Sequence, residues 1–592
     1  MTLVFFTKVW YYEIRTSDFP VNIFANYLII NHRIGGKCMR YVVVDSTEFT
    51  FPDRLDYPSA STEIELDTPR STYATFQILL DGLCVDHVKP NWLPEAIYHD
   101  PALLEQAQLG FPRAGGVTVV TDLPFSTEWY SLVPVTVEQN YGLAPADIKP
   151  PHFPIRTAPY RIYDCLRPFD GSLDVGVGDG REMDTKIGGI FGAIAIPADA
   201  IPGSYTASVK ITAGAESVTI PLSLTVYKAT VPPETLTVIQ GYGQNFVSHY
   251  HNVSYGSDEF YTLDDAYVKL LRRMHQNMAY TGGVKVTEVG KNQYEFDFSA
   301  MEQDMRRKLS QGIKYFNGPS VGWRQSWHSS TILVNNTLPA MSYEGYCYLV
   351  QYLPALHDML SRNGWLDIFM MGIADEPNAE NCTEWRALAG LVHKIVPDIK
   401  LIDAMSYGNI HGALDVWVPL NMEYDKHQAE IETLRQQGDE IWHYVCCGPR
   451  SEDYINRFLD YPLLSTRYLH WGNYCFNLTG YLHWATNSYQ PGQDPFRQNC
   501  PSHTNTDSTI TLPPGDTHLF YPGEHGPWLS ARGEAQRQGA EECEMLKCLA
   551  KTDKHAADAI CRTVFRSFCD VEYDVAIFRA ARKQLLSALS DR

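Results

Sequence analysis

Up to about Tyr227 the apolar residues come in short runs or at alternate positions, as in "YVVVD", "ATFQILL" and "GVTVVTDL", with Pro, Gly and Asp between them. That period of two predicts strands with one face buried. The clearest stretch runs from Gly192 to Lys228, where "SYTASVKI" and "SVTIPLSLTVY" alternate around "TAGAES" and Pro202-Gly203 turns the chain into the first of them. An antiparallel hairpin at the end of a β-sandwich is expected there. The rhythm changes at "KATVPPETLTV", because Pro232 and Pro233 cannot continue a ladder. From Leu236 onward apolar runs alternate with amphipathic segments: "LTVIQGYG" then "TLDDAYVKLLRRMHQ", "NMAYTGG" then "FSAMEQDMRRKLSQG", "IKYFNGPSV" then "SYEGYCYLVQYLPALHDMLSRNG", and so on to "GYLHWATNSY". Close to eight such units over about 250 residues is the size of a (β/α)8 barrel. A doubly wound open sheet is the structural rival, but the Gly-rich phosphate turn it often carries is missing from the sequence. After Tyr489 comes a polar loop, then a tail in which Ala531 to Lys551 spaces apolar residues three to four apart and so predicts a helix packed on the barrel exterior. The expected organisation is therefore α/β: an N-terminal antiparallel β-sandwich region over 1–230, possibly two sandwiches, a (β/α)8 barrel over 231–500, and a loop and helical tail over 501–592.

Bulk composition narrows the function. The chain has 592 residues, enough for two to four domains, and its 44% hydrophobic and 20% charged content is that of a globular protein rather than a disordered or collagen-like one. A formal charge of −21 with no basic run argues against a nucleic-acid backbone as partner and suits a neutral or cationic small substrate. No apolar run reaches about 18 residues, so no membrane span is expected. The opening "MTLVFFTKVWYYEIR" reads poorly as a signal peptide, since Lys8 interrupts its apolar patch and no small-residue cleavage site follows. Aromatic residues make up 12% of the chain, which suits sugar-stacking surfaces, although sheet cores account for most of them. The 13 cysteines show neither CxxC pairs nor metal-type Cys/His spacing, so no metal site is expected and most are free thiols. Cys446 and Cys447 are adjacent; two buried thiols are expected there, with a strained vicinal disulfide as the alternative.

The chemistry concentrates where "IFMMGIADEP" ends an apolar run with Asp375, Glu376 and Pro377. An acidic turn capping the helix that begins near Glu380 would be the bland explanation. At the carboxyl end of a barrel strand, however, such residues are delivered to the active site, and Pro377 is expected to keep Glu376 extended. Two neighbouring carboxylates in a partly dry pocket push one pKa up, so one group keeps a proton at neutral pH and can act as an acid. In the two-carboxylate retaining scheme the second group lies about 5–5.5 Å away across the sugar, which sequence neighbours cannot supply. They suit a substrate with a 2-acetamido group, whose own carbonyl oxygen attacks the anomeric carbon: Asp375 would orient the acetamido group, and Glu376 would act as acid and then as base.

The "DEP" segment, "DVWVPL", "EIWHYVCCGP", "YPLLSTRYLHWGNYCFNLTGYLHWATNSY", "GDTHLFYPG" and "ARGEAQRQGAEECEML", in that order, resemble the catalytic domain of glycoside hydrolase family 123 and its relatives. The "IPADAIPGSYTASVKI" hairpin resembles the β-sandwich that precedes it, and the resemblance spans roughly Ala193 to Leu546. It implies an exo-acting β-N-acetylgalactosaminidase with substrate assistance, the family's Asp-Glu pair at Asp375 and Glu376, no metal or organic cofactor, and a glycan or glycoconjugate with terminal β-linked N-acetylgalactosamine as substrate. The family's usual export signal is not evident, and localisation stays open. Two alternatives remain: a retaining β-glycosidase with a covalent intermediate, and a carbohydrate-binding protein without turnover. The covalent scheme in the barrel clan that carries Asn-Glu-Pro after strand four needs a glutamate at the end of strand seven. In "EIWHYVCCGPR" the one glutamate, Glu440, lies at the start; Glu423, after strand six, is a weaker candidate.

The remaining candidates follow other strands. Trp484 and Asn487 would form a wall and a hydroxyl contact of the sugar subsite, with Trp471 beside them; Asn421 and Glu423 would hold ring hydroxyls. A tyrosine is wanted on the acetamido carbonyl, and Tyr444 and Tyr407 both qualify. His251 and Trp323, after strands one and three, complete the set. Arg532 and Arg537 sit in the tail helix, and salt bridging is the role expected of them.

Overall fold

A computed structural model describes residues 39–83, 86–88, 111–140, 155–175, 187–405, 410–450, 454–490, 492–504 and 509–591. Tyr407 and the apolar opening of the chain lie outside the described residues.

Among the described residues the alternating N-terminal segments form a small three-stranded sheet, Asp86–Val88, Phe111–Ala114 and Leu173–Asp174, and two larger ones. One has seven strands in the order Arg40–Asp45, Thr72–Asp81, Gly188–Ile196, Thr127–Val137, Tyr160–Pro168, Gly526–Ser530 and Tyr521–Gly523. The other has four, in the order Ile64–Arg70, Glu216–Thr230, Gly203–Ala213 and Val117–Thr121. The expected hairpin is Gly203–Ala213 against Glu216–Thr230, antiparallel with Val209 opposite Ile220. Its inward residues Val209, Ile211, Ile220 and Leu222 share one apolar core with Phe76, Ile78, Ile190 and Ile194 of the larger sheet. The last two strands of the larger sheet come from residues beyond 520, so the tail does not simply pack on the second half of the molecule. Ser530 and Leu529 pair with Cys165 and Leu166 and tie the two regions together through backbone hydrogen bonds.

Beyond Leu236, among the described residues, nine short strands form a parallel, nearly closed barrel-like sheet. Its sequence-ordered members are Thr237–Gln240, Met278–Tyr280, Tyr315–Gly318, Phe369–Met371, Lys400–Met405, Val416–Pro419, Glu440–Ile441, His443–Tyr444 and Gly480–His483. Short apolar strands suffice because both faces are buried: Ile239, Met278, Met370, Ile402, Val418 and Leu482 fill the interior. The covering helices follow local signals. Asp258–Arg273 starts at Ser257, whose hydroxyl accepts the Phe260 N–H at 3.1 Å, and buries Phe260, Asp264, Tyr267, Val268 and Leu271 on one face. Tyr343–Asn363 is capped by Ser342 and ends at Gly364, whose φ of 70° allows the left-handed stop. Among the described residues no helix is long and apolar enough to cross a membrane.

The tail helix Ala531–Val564 departs from its expected amphipathic placement. Every residue from Ala531 to Leu546 is buried, including Arg532, Glu534, Arg537, Glu541 and Glu542. It runs between the N-terminal sheets and the parallel barrel, so no side of its first half is left for water. Its charges are therefore paired: Arg532 with Asp164 at 2.9 Å, Arg537 with Glu534 at 2.9 Å and with Glu541 at 2.8 Å, and Glu542 with Arg467 and Arg582.

Candidate active site

A cavity of about 620 Å³ opens at the carboxyl ends of the parallel strands, within the range of small-molecule sites. Tyr280, Asn317, Asp375, Glu376, Asp403, Tyr444 and Trp484 line it, at or near the ends of six strands since Asp375 and Glu376 follow the same one, and His503, Ile510 and Leu512 at a later hairpin close one side.

The acidic pair is delivered by the strand Phe369–Met371 through a turn that other residues hold in place. Asp403, on the neighbouring strand, accepts the N–H groups of Ile373 and Ala374 on Oδ2 at 3.0 and 3.2 Å. Gly372 lets the strands come this close, because a Cβ there would lie 2.8 Å from the Ser320 hydroxyl. Asp375 and Glu376 then adopt φ values of 49° and 31°. Two successive non-glycine residues in left-handed conformation cost on the order of 1–3 kcal/mol each. The extended Glu376 expected from Pro377 is thus corrected. Tertiary contacts outweigh the local preference. Arg324 supplies them, donating from Nη2 to the carbonyls of Asp375 at 2.8 Å and Glu376 at 3.2 Å, and from Nη1 to that of Trp327 at 2.6 Å.

Glu376 lies between two donors. The Tyr444 hydroxyl donates to Oε1 at 2.7 Å and the Trp327 indole N–H to Oε2 at 3.3 Å. Burial, with the carboxylate of Glu376 next in effect, pushes the Tyr444 pKa well up, so the phenol stays a donor. Asp375 is open to the cavity but crowded by protein on its other sides. Desolvation, then repulsion from Glu376, raises its pKa to about 6. Asp403 is raised to about 8, first by burial and then by Asp375. At neutral pH the crowding of three carboxyl groups is relieved by keeping Asp403 protonated.

Of the residues singled out from sequence, the structure brings Asp375, Glu376, Tyr444 and Trp484 together around the cavity. Trp484 is fixed by its N–H to Asp516 at 3.2 Å. Tyr407 lies outside the described residues, and the remaining ones do not line the cavity. The Asn487 side chain is spent on the backbone of Gly243, donating at 3.1 Å and accepting at 2.9 Å, which pins the start of the helix Gln244–His251. Trp471 is buried beneath the tail, with its N–H on Glu542 at 2.9 Å and its ring against Phe578. Asn421 is buried at the head of its helix and donates to the Ile455 carbonyl at 2.9 Å. Glu423 pairs with Lys426 and His427, both at 3.5 Å. His251 bonds the Tyr267 hydroxyl at 3.0 Å, and burial lowers its pKa to about 4, so it is neutral. Trp323 lies at 43% exposure with its N–H on the Asn336 carbonyl. Glu440 pairs with Lys400 at 2.9 Å, at the opposite end of its strand from the cavity.

Sequence reasoning missed Arg324, Trp327 and Asp403. A signal existed for Asp403, a lone acid inside the apolar run "KLIDAMS". For Arg324 and Trp327 there was none, since both sit in an irregular loop about 50 residues before the carboxylates they hold.

Two adjacent carboxyl groups, Asp375 with its proton affinity raised, in a sugar-sized cavity at strand ends define the class of a glycoside hydrolase. The family model of the glycoside hydrolase 123 catalytic domain matches residues 243–549, more than half of the chain, and the protein belongs to glycoside hydrolase family 123. Among solved structures, a family 123 glycoside hydrolase from Clostridium perfringens, described for glycolipid glycan hydrolysis, is similar with a TM-score of 0.67 and 14% identity. That likeness covers 93% of this chain and 98% of that one. A family 10 xylanase with a bacterial Ig-like domain from termite gut has a TM-score of 0.31 at 11% identity, covering 72% of this chain and 95% of its own. An endo-β-1,4-mannanase from Thermotoga petrophila has a TM-score of 0.33 at 9% identity, covering 53% and 77%. These two distant likenesses add nothing to the assignment. The comparison with curated proteins finds no match.

Proposed function

We propose that this protein is an exo-acting β-N-acetylgalactosaminidase that retains configuration through an oxazolinium intermediate. The carrying observation is the wall around Glu376: its sequence neighbour Asp375 faces the same cavity, and strand seven ends in Tyr444, which bonds Glu376, rather than in a carboxylate. In this reading the substrate's acetamido oxygen attacks the anomeric carbon while Glu376 protonates the departing glycosidic oxygen. Asp375 accepts the acetamido N–H and stabilises the cation. Glu376 then takes a proton from the water that opens the oxazolinium ring. Tyr444 holds Glu376, and Trp484 offers the stacking face for the sugar. Asp403 does not suit the covalent role, because its Oδ2 is committed to two backbone amides.

The scaffold reading is a (β/α)8 barrel with an N-terminal β-sandwich. Glu440–Ile441 and His443–Tyr444 stand at opposite ends of the strand order yet are separated only by Trp442, whose N–H bonds the Trp417 carbonyl at 2.8 Å. Taken as one strand, they close the sheet with eight. The glycolipid glycans named for the Clostridium perfringens enzyme support a glycoconjugate as the substrate.

Release of nitrophenol from nitrophenyl β-N-acetylgalactosaminide tests the activity, with the matching β-galactoside as control. Comparable rates on the two would overturn substrate assistance, because the galactoside lacks the internal nucleophile. A thiazoline that mimics the cyclised intermediate is expected to compete with substrate, and failure to do so would count against the same step. The pH profile supplies another check. Asp375 must be ionised to accept the amide N–H, and its pKa is about 6, so kcat/KM is expected to fall as pH drops through about that value. A flat profile from pH 7 to about 5 would contradict that role. Tyr444→Phe removes the hydrogen bond that orients Glu376, worth about 0.5–1.5 kcal/mol, and is expected to lower kcat by roughly 2- to 12-fold.

A further inference from the structure

The mechanism leaves one reactive feature of the cavity wall unused. Successive residues of an extended strand point to opposite faces, yet Cys446 and Cys447 both line the catalytic cavity. The chain bends to allow it. The Cys446 N–H bonds the Gly448 carbonyl at 2.9 Å, and Asn456 Nδ2 donates to the Cys446 carbonyl at 3.1 Å. Arg450 Nε donates to the Cys447 carbonyl at 2.6 Å, which brings the guanidinium to the pair. Both cysteines are free and partly accessible.

We propose that Cys446 and Cys447 form a dithiol site in the wall of the catalytic cavity that captures electrophiles able to accept two thiolates on one atom, the trivalent arsenical class, and that its occupation closes the active site. The pair is prepared for such chemistry. The neighbouring Cys446 thiol, and then the Arg450 guanidinium, lower the Cys447 pKa to about 6, while Cys446 is raised well above its usual value. One thiolate and one thiol at neutral pH are a nucleophile and a second ligand. A monosubstituted trivalent arsenical, R–As(OH)2, exchanges both As–O bonds for As–S bonds. One hydroxyl leaves as water with the Cys446 proton and the other with a proton taken from solvent, which replaces the one Cys447 lost on ionising, and no oxidation state changes. The bound group would occupy the wall beside Glu376, whose charge is already felt at both sulfurs.

The test treats the full chain with phenylarsine oxide, followed by intact-mass measurement, peptide mapping and the nitrophenol assay. One phenylarsenic group per chain is expected on the peptide holding residues 446 and 447, with loss of turnover that 2,3-dimercaptopropanol restores and an equal concentration of a monothiol does not. Cys446→Ser and Cys447→Ser should each keep their own untreated rate in the presence of the arsenical. Cys475→Ser, which removes a thiol that neighbours Cys561 away from the cavity, should stay sensitive. Equal arsenic uptake by Cys447→Ser, an adduct mapped to a different peptide, or full turnover with the pair occupied would each overturn the proposal. The mass readout needs no activity, so it decides the site even if the proposed sugar specificity fails.

Discussion

Glu376→Gln is expected to lower kcat on a β-N-acetylgalactosaminide with an alkyl or sugar leaving group by about 10²- to 10⁴-fold, the usual contribution of a positioned general acid. The amide keeps the volume of the carboxyl group, and its one oxygen can still accept from Tyr444 at the 2.7 Å position while its NH2 takes the place of the oxygen that faces Trp327. It cannot give up a proton. The loss should therefore be selective: smaller on a dinitrophenyl glycoside, whose leaving group departs without help, and largest where the departing oxygen is most basic. Asp375→Asn should behave differently. It exchanges an acceptor for a group that also donates, so it is expected to impair both substrates alike and to abolish the acid limb near pH 6. Steady-state rates of the two variants on the two substrates check this. Equal losses for Glu376→Gln on both leaving groups would remove its assignment as the acid.

Arg532→Leu is expected to destabilise the protein by about 3–5 kcal/mol, because it leaves a buried carboxylate without its counter-ion. Arg532 and Asp164 are both fully buried and 2.9 Å apart. The guanidinium also donates to the carbonyls of Arg457 at 3.0 Å, Gly515 at 2.7 Å and His518 at 3.0 Å, so one side chain satisfies acceptors from the larger N-terminal sheet, the barrel and the loop after it. Gly515 has a φ of 78°, and a Cβ there would fall 2.5 Å from the same guanidinium. The thermal unfolding midpoint of Arg532→Leu should drop sharply. Asp164→Leu combined with Arg532→Leu should recover part of the loss, since removing both charges ends the desolvation cost. A midpoint for Arg532→Leu within error of the parent would refute a coupling role for the pair.

The sequence was informative wherever the relevant signal is local. Alternation in "SYTASVKI" and "SVTIPLSLTVY" predicted a hairpin because period-two burial is a property of the strand itself. The repeated change from apolar run to amphipathic helix beyond Leu236 predicted a parallel barrel-like sheet, and placed Asp375 and Glu376 at a strand end. The less legible residues are those whose environment is assembled from distant segments. Asn487, Asn421 and Trp471 look like sugar ligands because they follow strands or lie near them, but their polar atoms satisfy backbone groups or a buried carboxylate. The amphipathic pattern of Ala531 to Lys551 predicted a helix packed by one face on the barrel exterior. Sandwiched between two bodies, the helix is instead buried with its ions paired.

By itself, the sequence determined the strand and helix periodicities, the acidic pair that follows "IFMMGIA", and the lack of a glutamate at the end of "EIWHYVCC". Each is a statement about neighbours along the chain, where backbone geometry ties position to direction. The tertiary structure alone decided that Asp375 and Glu376 would take up left-handed conformations against the preference set by Pro377, that Arg324 would hold their carbonyls, and that Asp403 would brace the turn and keep its proton. The reason is physical. Hydrophobic periodicity reports which face of an element is buried, but the energy of a strained turn and the affinity of a carboxyl group for a proton depend on which distant polar groups are brought within hydrogen-bonding reach, and only the packing of the strands fixes that.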